Sequence, residues 1–390
     1  MTDIFIANNT EVIILSILGI TLLTQIIYYS TLYNRIHRHN LSANKGKIAF
    51  STEYPPLSVI ICAKDASKEL EENLPSILEQ DYPEFEVIVV NNNSSDESED
   101  LLTLMENKYP HLYHTFTPDS ARYISHKKLA LTVGIKASKY DWLVMTETNC
   151  KPVSKDWLKL IARNFTNETD IILGYSGYER GKGWFQRKVS FDNLFHAIRF
   201  LGFALIRKPY MGIGRNMAYR KELFFKNKGF SAHLNLQRGD DDLFINRIAT
   251  SGNTRVETDM NACVCMKPIE YKKQWKEEKI SYAVTSQYYK GIQRYLLGLE
   301  TFSRLLFYVS FILLLVLSIQ NKSWGITGIC TLIYITRYMC QAIVINKTTK
   351  DFGESGYWFT LPIFDLLQPL CNARFKIIRR FRRKRNFMRK

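Results

Sequence analysis

Four strand-like runs lie between residues 57 and 147: LSVIICA (57–63), FEVIVVNN (85–92), YHTFTP (113–118) and DWLVMTE (141–147). Each is parted from the next by a helix-length segment. SKELEENLPSILEQ (67–80) places Leu70, Leu74, Ile77 and Leu78 on one stripe, with Ser67 as its cap and Pro75 as a kink point. SSDESEDLLTLMENKYP (94–110) has capping serines and an acidic first turn, and HKKLALTVGIKAS (126–138) is the third helix. Apolar runs with no polar alternation are strands buried on both faces. Strand–helix–strand units at this spacing predict an α/β fold with a doubly wound, mostly parallel, Rossmann-like sheet. Such sheets bind ligands beyond the carboxyl ends of their strands. The groups expected there are Lys64 and Asp65, Asn91, Asn92 and Asn93, and Glu147, Thr148 and Asn149.

The flanks read differently. VIILSILGITLLTQIIYYS (12–30) is long enough to cross a bilayer core of about 30 Å. No small-residue cleavage site follows it, so it is expected to stay as an anchor. Residues 305–319 form a second candidate span, and residues 324–345 a third that carries Arg337. Residues 357–371, with Pro362, Asp365 and Pro369, read as a short interfacial or re-entrant helix. The formal net charge is +16, with much of the basic charge at 35–47 and 376–390. By the positive-inside rule these clusters face the cytoplasm and the acidic N-terminal end faces out. No motif that reads RNA or DNA accompanies the charge, so nucleic acid is not an expected partner. Seven cysteines without disulfide or zinc spacing fit a reducing compartment. The expected division is an anchor and basic linker (1–47), a cytoplasmic domain (48–298), transmembrane or interfacial helices (299–375) and a basic tail (376–390).

Over roughly 55–295 the chain resembles the family 2 glycosyltransferases of GT-A fold. The resemblance rests on SVIICAKDASKELEENLPSILEQDYPEFEVIVVNNNSSD, HKKLALTVGIKAS, LVMTETNCKP, GRNMAYRKELFFKNKGF and RGDDDLFINRI, in that order. The flanking spans resemble the family's membrane-bound branch, which includes polysaccharide synthases. Two motifs depart from the pattern. The D-x-D position holds Glu147-Thr148-Asn149, and the Q-x-x-R-W position holds QWKEEKISYAVTSQYYKG (274–291). The second departure favours single sugar transfer over processive synthesis.

The resemblance implies roles residue by residue. Asp65, Asn91 and Asn92 contact the nucleoside, an asparagine carbonyl being able to accept from uracil N–H. Lys127 or Lys128 meets phosphate. Glu147 and Asn149 hold a divalent metal, Mg2+ or Mn2+, on the diphosphate, with less charge than two aspartates provide. Asp241, flanked by Asp240 and Asp242, is the general base, its pKa raised by mutual repulsion. Arg215, Asn216, Trp275, Lys279 and Tyr282 line the acceptor side. Each position also has a structural reading: turn residues, a solvated helix face, helix capping. The expected partners are a nucleotide-sugar, UDP-linked by preference, a lipid-linked or glycan acceptor, and membrane lipids. The alternative is a homologue that binds a nucleotide-sugar, or scaffolds a glycan-assembly complex, without turnover.

Overall fold

A continuous helical rod opens the molecule. In this computed structural model, which describes residues 8–118 and 125–381, α1 (Asn9–Ile27) passes through a π-helical stretch (Tyr28–Tyr33) into α2 (Arg35–Asn44). The readings placed on residues 1–7 and 382–390 lie outside the described residues.

The four predicted strands form as β1 (Leu57–Ala63), β2 (Phe85–Asn91), β3 (Leu112–Phe116) and β4 (Trp142–Glu147). They pair in parallel in the order β3-β2-β1-β4. The period-2 geometry of a strand splits their apolar side chains between two cores. Ile60, Ile88, Val90, Leu143 and Met145 join one core, while Val59, Ile61, Val87, Val89 and Val144 join the other. The helices α3 (Ser67–Leu78), α4 (Ser98–Lys108) and α5 (His126–Ala137) are those read from the sequence. Pro75 lies inside α3 without ending it. Ser67 does not cap that helix through its side chain; its backbone N–H is instead met by Asp96 Oδ2 at 2.9 Å.

Beyond β4 come β5 (Cys150–Pro152), α6 (Trp157–Ala162), β6 (Ile171–Leu173), β7 (Ser176–Tyr178), α7 (Trp184–Leu205) and β8 (Met217–Arg220). Next are α8 (Lys221–Lys226), α9 (Asp242–Ile248), β9 (Thr254–Val256), β10 (Val264–Met266) and α10 (Lys272–Thr285). The sheet grows antiparallel across β4–β8 and β8–β6, then parallel to β9. A second sheet has the order β5-β10-β7. The register sets Ala63 beside Asn91 and Cys62 beside Glu147, so the polar residues ending three strands share one edge.

The chain closes with α11 (Gln293–Gln320), α12 (Trp324–Asp351) and α13 (Leu361–Phe381). Among the described residues three helices are long and apolar enough to cross a membrane: Asn9–Asn44, Gln293–Gln320 and Trp324–Asp351. Their outward faces expose Ile20, Leu23, Val309, Ile312, Leu332 and Ile335, an apolar surface that a water-facing monomer would not keep. The short segment expected at 357–371 is instead the 21-residue α13, with Pro369 inside it. Asp365 on that helix is fully buried between Arg304 at 3.0 Å and Arg337 at 2.7 Å. The Arg337 charge within residues 324–345 is therefore paired. Arg304 also meets Glu300 at 3.2 Å, and Glu300 pairs with Arg199 of α7, which ties the spanning helices to the sheet domain.

Candidate active site

The site is built where the end of β4, the first turn of α5 and the loop before β8 meet α9 and α10. A cavity of about 220 Å3 opens there, with Glu147, Lys127, Arg215, Arg238 and Asp240–Asp242 in its wall and Gln274, Glu278 and Tyr282 across from them. β4 carries Glu147 to the rim. The first turn of α5 brings Lys127, whose Nζ lies 2.7 Å from Glu147 Oε1 and 3.0 Å from Asp240 Oδ2. The loop before β8 brings Arg215, whose Nε lies 3.1 Å from Glu147 Oε2 and whose Nη2 lies 2.7 Å from Glu278 Oε1. One line of ion pairs thus runs from Asp240 through Lys127, Glu147 and Arg215 to Glu278.

The electrostatics follow from this line. Burial opposes charge on Lys127, but Asp240 and Glu147 overcome it and hold the ammonium well above its ordinary range. Burial would push Glu147 up, yet Lys127 and Arg215 hold its carboxyl well below the usual carboxylate range. The aspartates differ. Asp240 is buried beside Lys127. Asp242 is buried, accepts from the Tyr289 hydroxyl at 2.6 Å, and is pushed up to about 7 by burial and by Asp241. Asp241 is the partly exposed member; its Oδ2 accepts from the Gly214 N–H at 3.1 Å and its Oδ1 from the Asp242 N–H at 2.7 Å. Burial and Asp240 raise its pKa. The expected repulsion is present, with burial as the larger cause.

Other predicted residues fall elsewhere. Lys128 is buried, and its Nζ donates to the His233 and Leu236 carbonyls at 2.6 and 2.9 Å; burial lowers it to about 8. It holds the segment before the aspartates and not the cavity. Asn216 is buried, donating to the Tyr175 and Ala262 carbonyls and accepting from Trp157 Nε1, so it ties the two sheets together instead of meeting an acceptor. Asn91 donates to Glu99 at 2.5 Å and accepts from the Ser94 N–H, while Asn92 accepts from Thr117. Both amides shape the loop after β2 and do not present free acceptors. Asp65, exposed and in the left-handed region at φ 47°, accepts from the Ser95 N–H at 2.7 Å. Tyr282 lines the main cavity; Trp275 and Lys279 line a smaller neighbouring one, where Lys279 pairs with Asp192 at 2.6 Å.

Glu278, Arg238 and Ser281 also line the cavity without having been singled out in the sequence. A signal for the α10 members existed. Gln274, Glu278, Ser281 and Thr285 recur at spacings of three and four, one polar face of a helix.

A mostly parallel sheet with its charged strand ends turned toward an aspartate-bearing helix defines the GT-A class of transferases. Residues 58–226 match the model of the glycosyl transferase family 2. The fold is similar to that of the mannosyltransferase PcManGT from Pyrobaculum calidifontis, solved in complex with GDP-Man and Mn2+. The two share 16% identity over 94% of this chain and 98% of that one, with a TM-score of 0.58. TarS residues 1–349 of S. aureus, solved in complex with UDP-GlcNAc, is similar at 16% identity over 76% of this chain and 89% of its own, with a TM-score of 0.42.

The fold class implies a divalent ion, and the donor set here does not fit one as it stands. Both oxygens of Glu147 are already paired with side-chain cations. Asn149, the second expected ligand, accepts through Oδ1 from the Cys150 thiol at 3.5 Å. Among the described residues no group of three or more His, Cys, Asp and Glu is arranged to hold a metal ion. The distances of 2.7 and 3.0 Å around Lys127 are those of charge-assisted hydrogen bonds, and its ammonium fills the gap between Glu147 and Asp240.

Proposed function

We propose that the protein transfers a sugar from a nucleotide-sugar to an acceptor hydroxyl, with inversion, at the cytoplasmic face of a membrane. The observation that carries this reading is Asp241, a partly exposed carboxylate held by the Gly214 N–H in the wall of a cavity that also presents Lys127 and Arg215. Asp241 takes the proton of the acceptor hydroxyl as its oxygen forms a bond to the sugar's anomeric carbon. The bond from that carbon to the diphosphate oxygen breaks, and the diphosphate leaves with the electron pair. A single displacement of this kind inverts the anomeric centre. Lys127, Arg215 and Arg238 line the same cavity as Asp241, which supports a role in offsetting the negative charge that develops on the leaving group.

The acceptor side is α10, whose Glu278 and Tyr282 face Asp241 across the cavity. The three long apolar helices keep this opening near a bilayer, which supports a lipid-linked or glycan acceptor. The donor class to test first is UDP-linked. The test is transfer or hydrolysis of UDP- and GDP-sugars by detergent-purified protein beside Asp241→Asn. Wild-type turnover that the variant loses supports the reading. Equal turnover in both removes Asp241 as base, and nucleotide binding without turnover by either points to a non-catalytic homologue.

A further inference from the structure

We infer that this site handles the nucleotide diphosphate without a divalent ion, Lys127 and Arg215 together standing where the ion would act. The inference rests on the proposed transfer from a nucleotide-sugar. Its ground is the placement of two permanent cations on one carboxylate. Lys127 approaches Oε1 of Glu147 and Arg215 approaches Oε2, so the rim residue that would ligate a metal is saturated from both sides. A divalent ion needs an octahedron of oxygens at about 2.1 Å, or more ligands at longer distance. To reach Glu147 and Asp240 together it must expel the Lys127 ammonium, whose charge those same carboxylates stabilise.

The charge arithmetic also agrees. Lys127 and Arg215 carry two positive charges, as one Mg2+ or Mn2+ does. They are offset by Glu147 and Asp240, as a metal would be by its carboxylates, with Glu278 as a third carboxylate on Arg215. Arg215 retains donor capacity: its buried Nη1 has no hydrogen-bond partner, although Nε and Nη2 are paired. A guanidinium with spare donors suits diphosphate oxygens, which it can grip in a forked geometry, and an ammonium beside it adds a point charge. Preorganisation is provided by the carboxylates themselves. Glu147 and Glu278 fix the arginine plane, and Glu147 and Asp240 fix the lysine, so little ordering is left to occur when the diphosphate arrives.

The experiment is calorimetric binding of UDP, GDP, ADP and dTDP to the full chain in detergent, first in excess EDTA and then in Mn2+. Turnover of the matching sugar nucleotide is followed under both conditions. The expected result is binding in EDTA within about threefold of that in Mn2+, with turnover retained. Lys127→Ala should weaken binding in EDTA by about tenfold or more, while Lys127→Arg keeps most of it. The alanine variant also clears the gap between Glu147 and Asp240, so Mn2+ should restore part of its affinity. Wild-type binding and turnover that vanish in EDTA and return with Mn2+ would overturn the inference and leave the transfer reading intact. Binding by Lys127→Ala equal to wild type in EDTA, with the variant folded by its melting curve, also overturns it. If no nucleotide binds under either condition, the transfer reading falls as well.

Discussion

Arg337 of α12 and Asp365 of α13 meet at 2.7 Å in the interior, where Asp365 also accepts from Tyr308 at 2.7 Å and lies 3.0 Å from Arg304. One carboxylate therefore answers two guanidinium groups. In an apolar setting, removing one partner of such a group costs more than the pair contributes, because the others stay charged and unmatched. Asp365→Asn is expected to destabilise the protein by about 3–5 kcal/mol. A melting curve in detergent reads this as a clear fall in Tm, partly recovered by adding Arg337→Gln. Equal melting of wild type and Asp365→Asn would show that water or lipid headgroups already neutralise the arginines.

Asp241→Asn tests the base. The amide oxygen still accepts from one of the two backbone N–H groups that Asp241 holds, Gly214 or Asp242, but the proton acceptor is gone. Turnover is expected to fall by about 10²–10⁴, the usual worth of general base catalysis, with nucleotide affinity changed by less than about threefold. Steady-state kinetics and calorimetry on the same preparation separate the two quantities. A loss of affinity matching the loss of turnover would make Asp241 a binding group instead.

The sheet was largely legible because β1, β2 and β4 are apolar on both faces, a pattern that little besides a buried parallel strand explains. Asp240–Asp242 stood out as adjacent like charges, and Lys127 through its place on a resembling helix. What the sequence hid is the coupling among them. Lys127 and Glu147 are 20 residues apart, Arg215 and Glu147 are 68, and Arg215 and Glu278 are 63, and no periodicity links such positions. Arg337 and Asp365 stand singly in the sequence, each a charge within an apolar segment, and only the fold makes them two halves of one pair. Asn216 misled in the opposite sense. A Gly-rich GIGRNMAY suggests a ligand loop, and only the tertiary structure shows that its amide is spent on Trp157, Tyr175 and Ala262.

That reassignment predicts an outcome for Asn216→Ala. The substitution leaves a buried indole N–H and two buried carbonyls without their partner, for a loss of about 1–3 kcal/mol. Tm should drop while the KM for the sugar nucleotide, measured well below the transition, stays within about twofold. An unchanged Tm with a raised acceptor KM would return Asn216 to the acceptor side.

The pH profile is the remaining prediction, and its direction follows from Asp241 and Asp242, adjacent carboxylates at the start of α9. Burial raises both, and Asp242 is pushed up to about 7. A base works only when deprotonated, so kcat/KM should climb with pH above the ordinary carboxylate range and then level off, falling toward tenfold per unit on the acid side. Stability runs the other way. An unfolded aspartate releases its proton near 3.9, whereas folded Asp242 keeps it to about 7. Folding therefore takes up a proton in that interval, and this contribution is present below about 4 and lost as pH rises through 7. Asp242→Asn removes the group that keeps its proton to about 7, so the variant should melt with a weaker pH dependence between about 4 and 7. A melting curve whose pH dependence is unchanged in Asp242→Asn would mean that the proton taken up on folding belongs to another group.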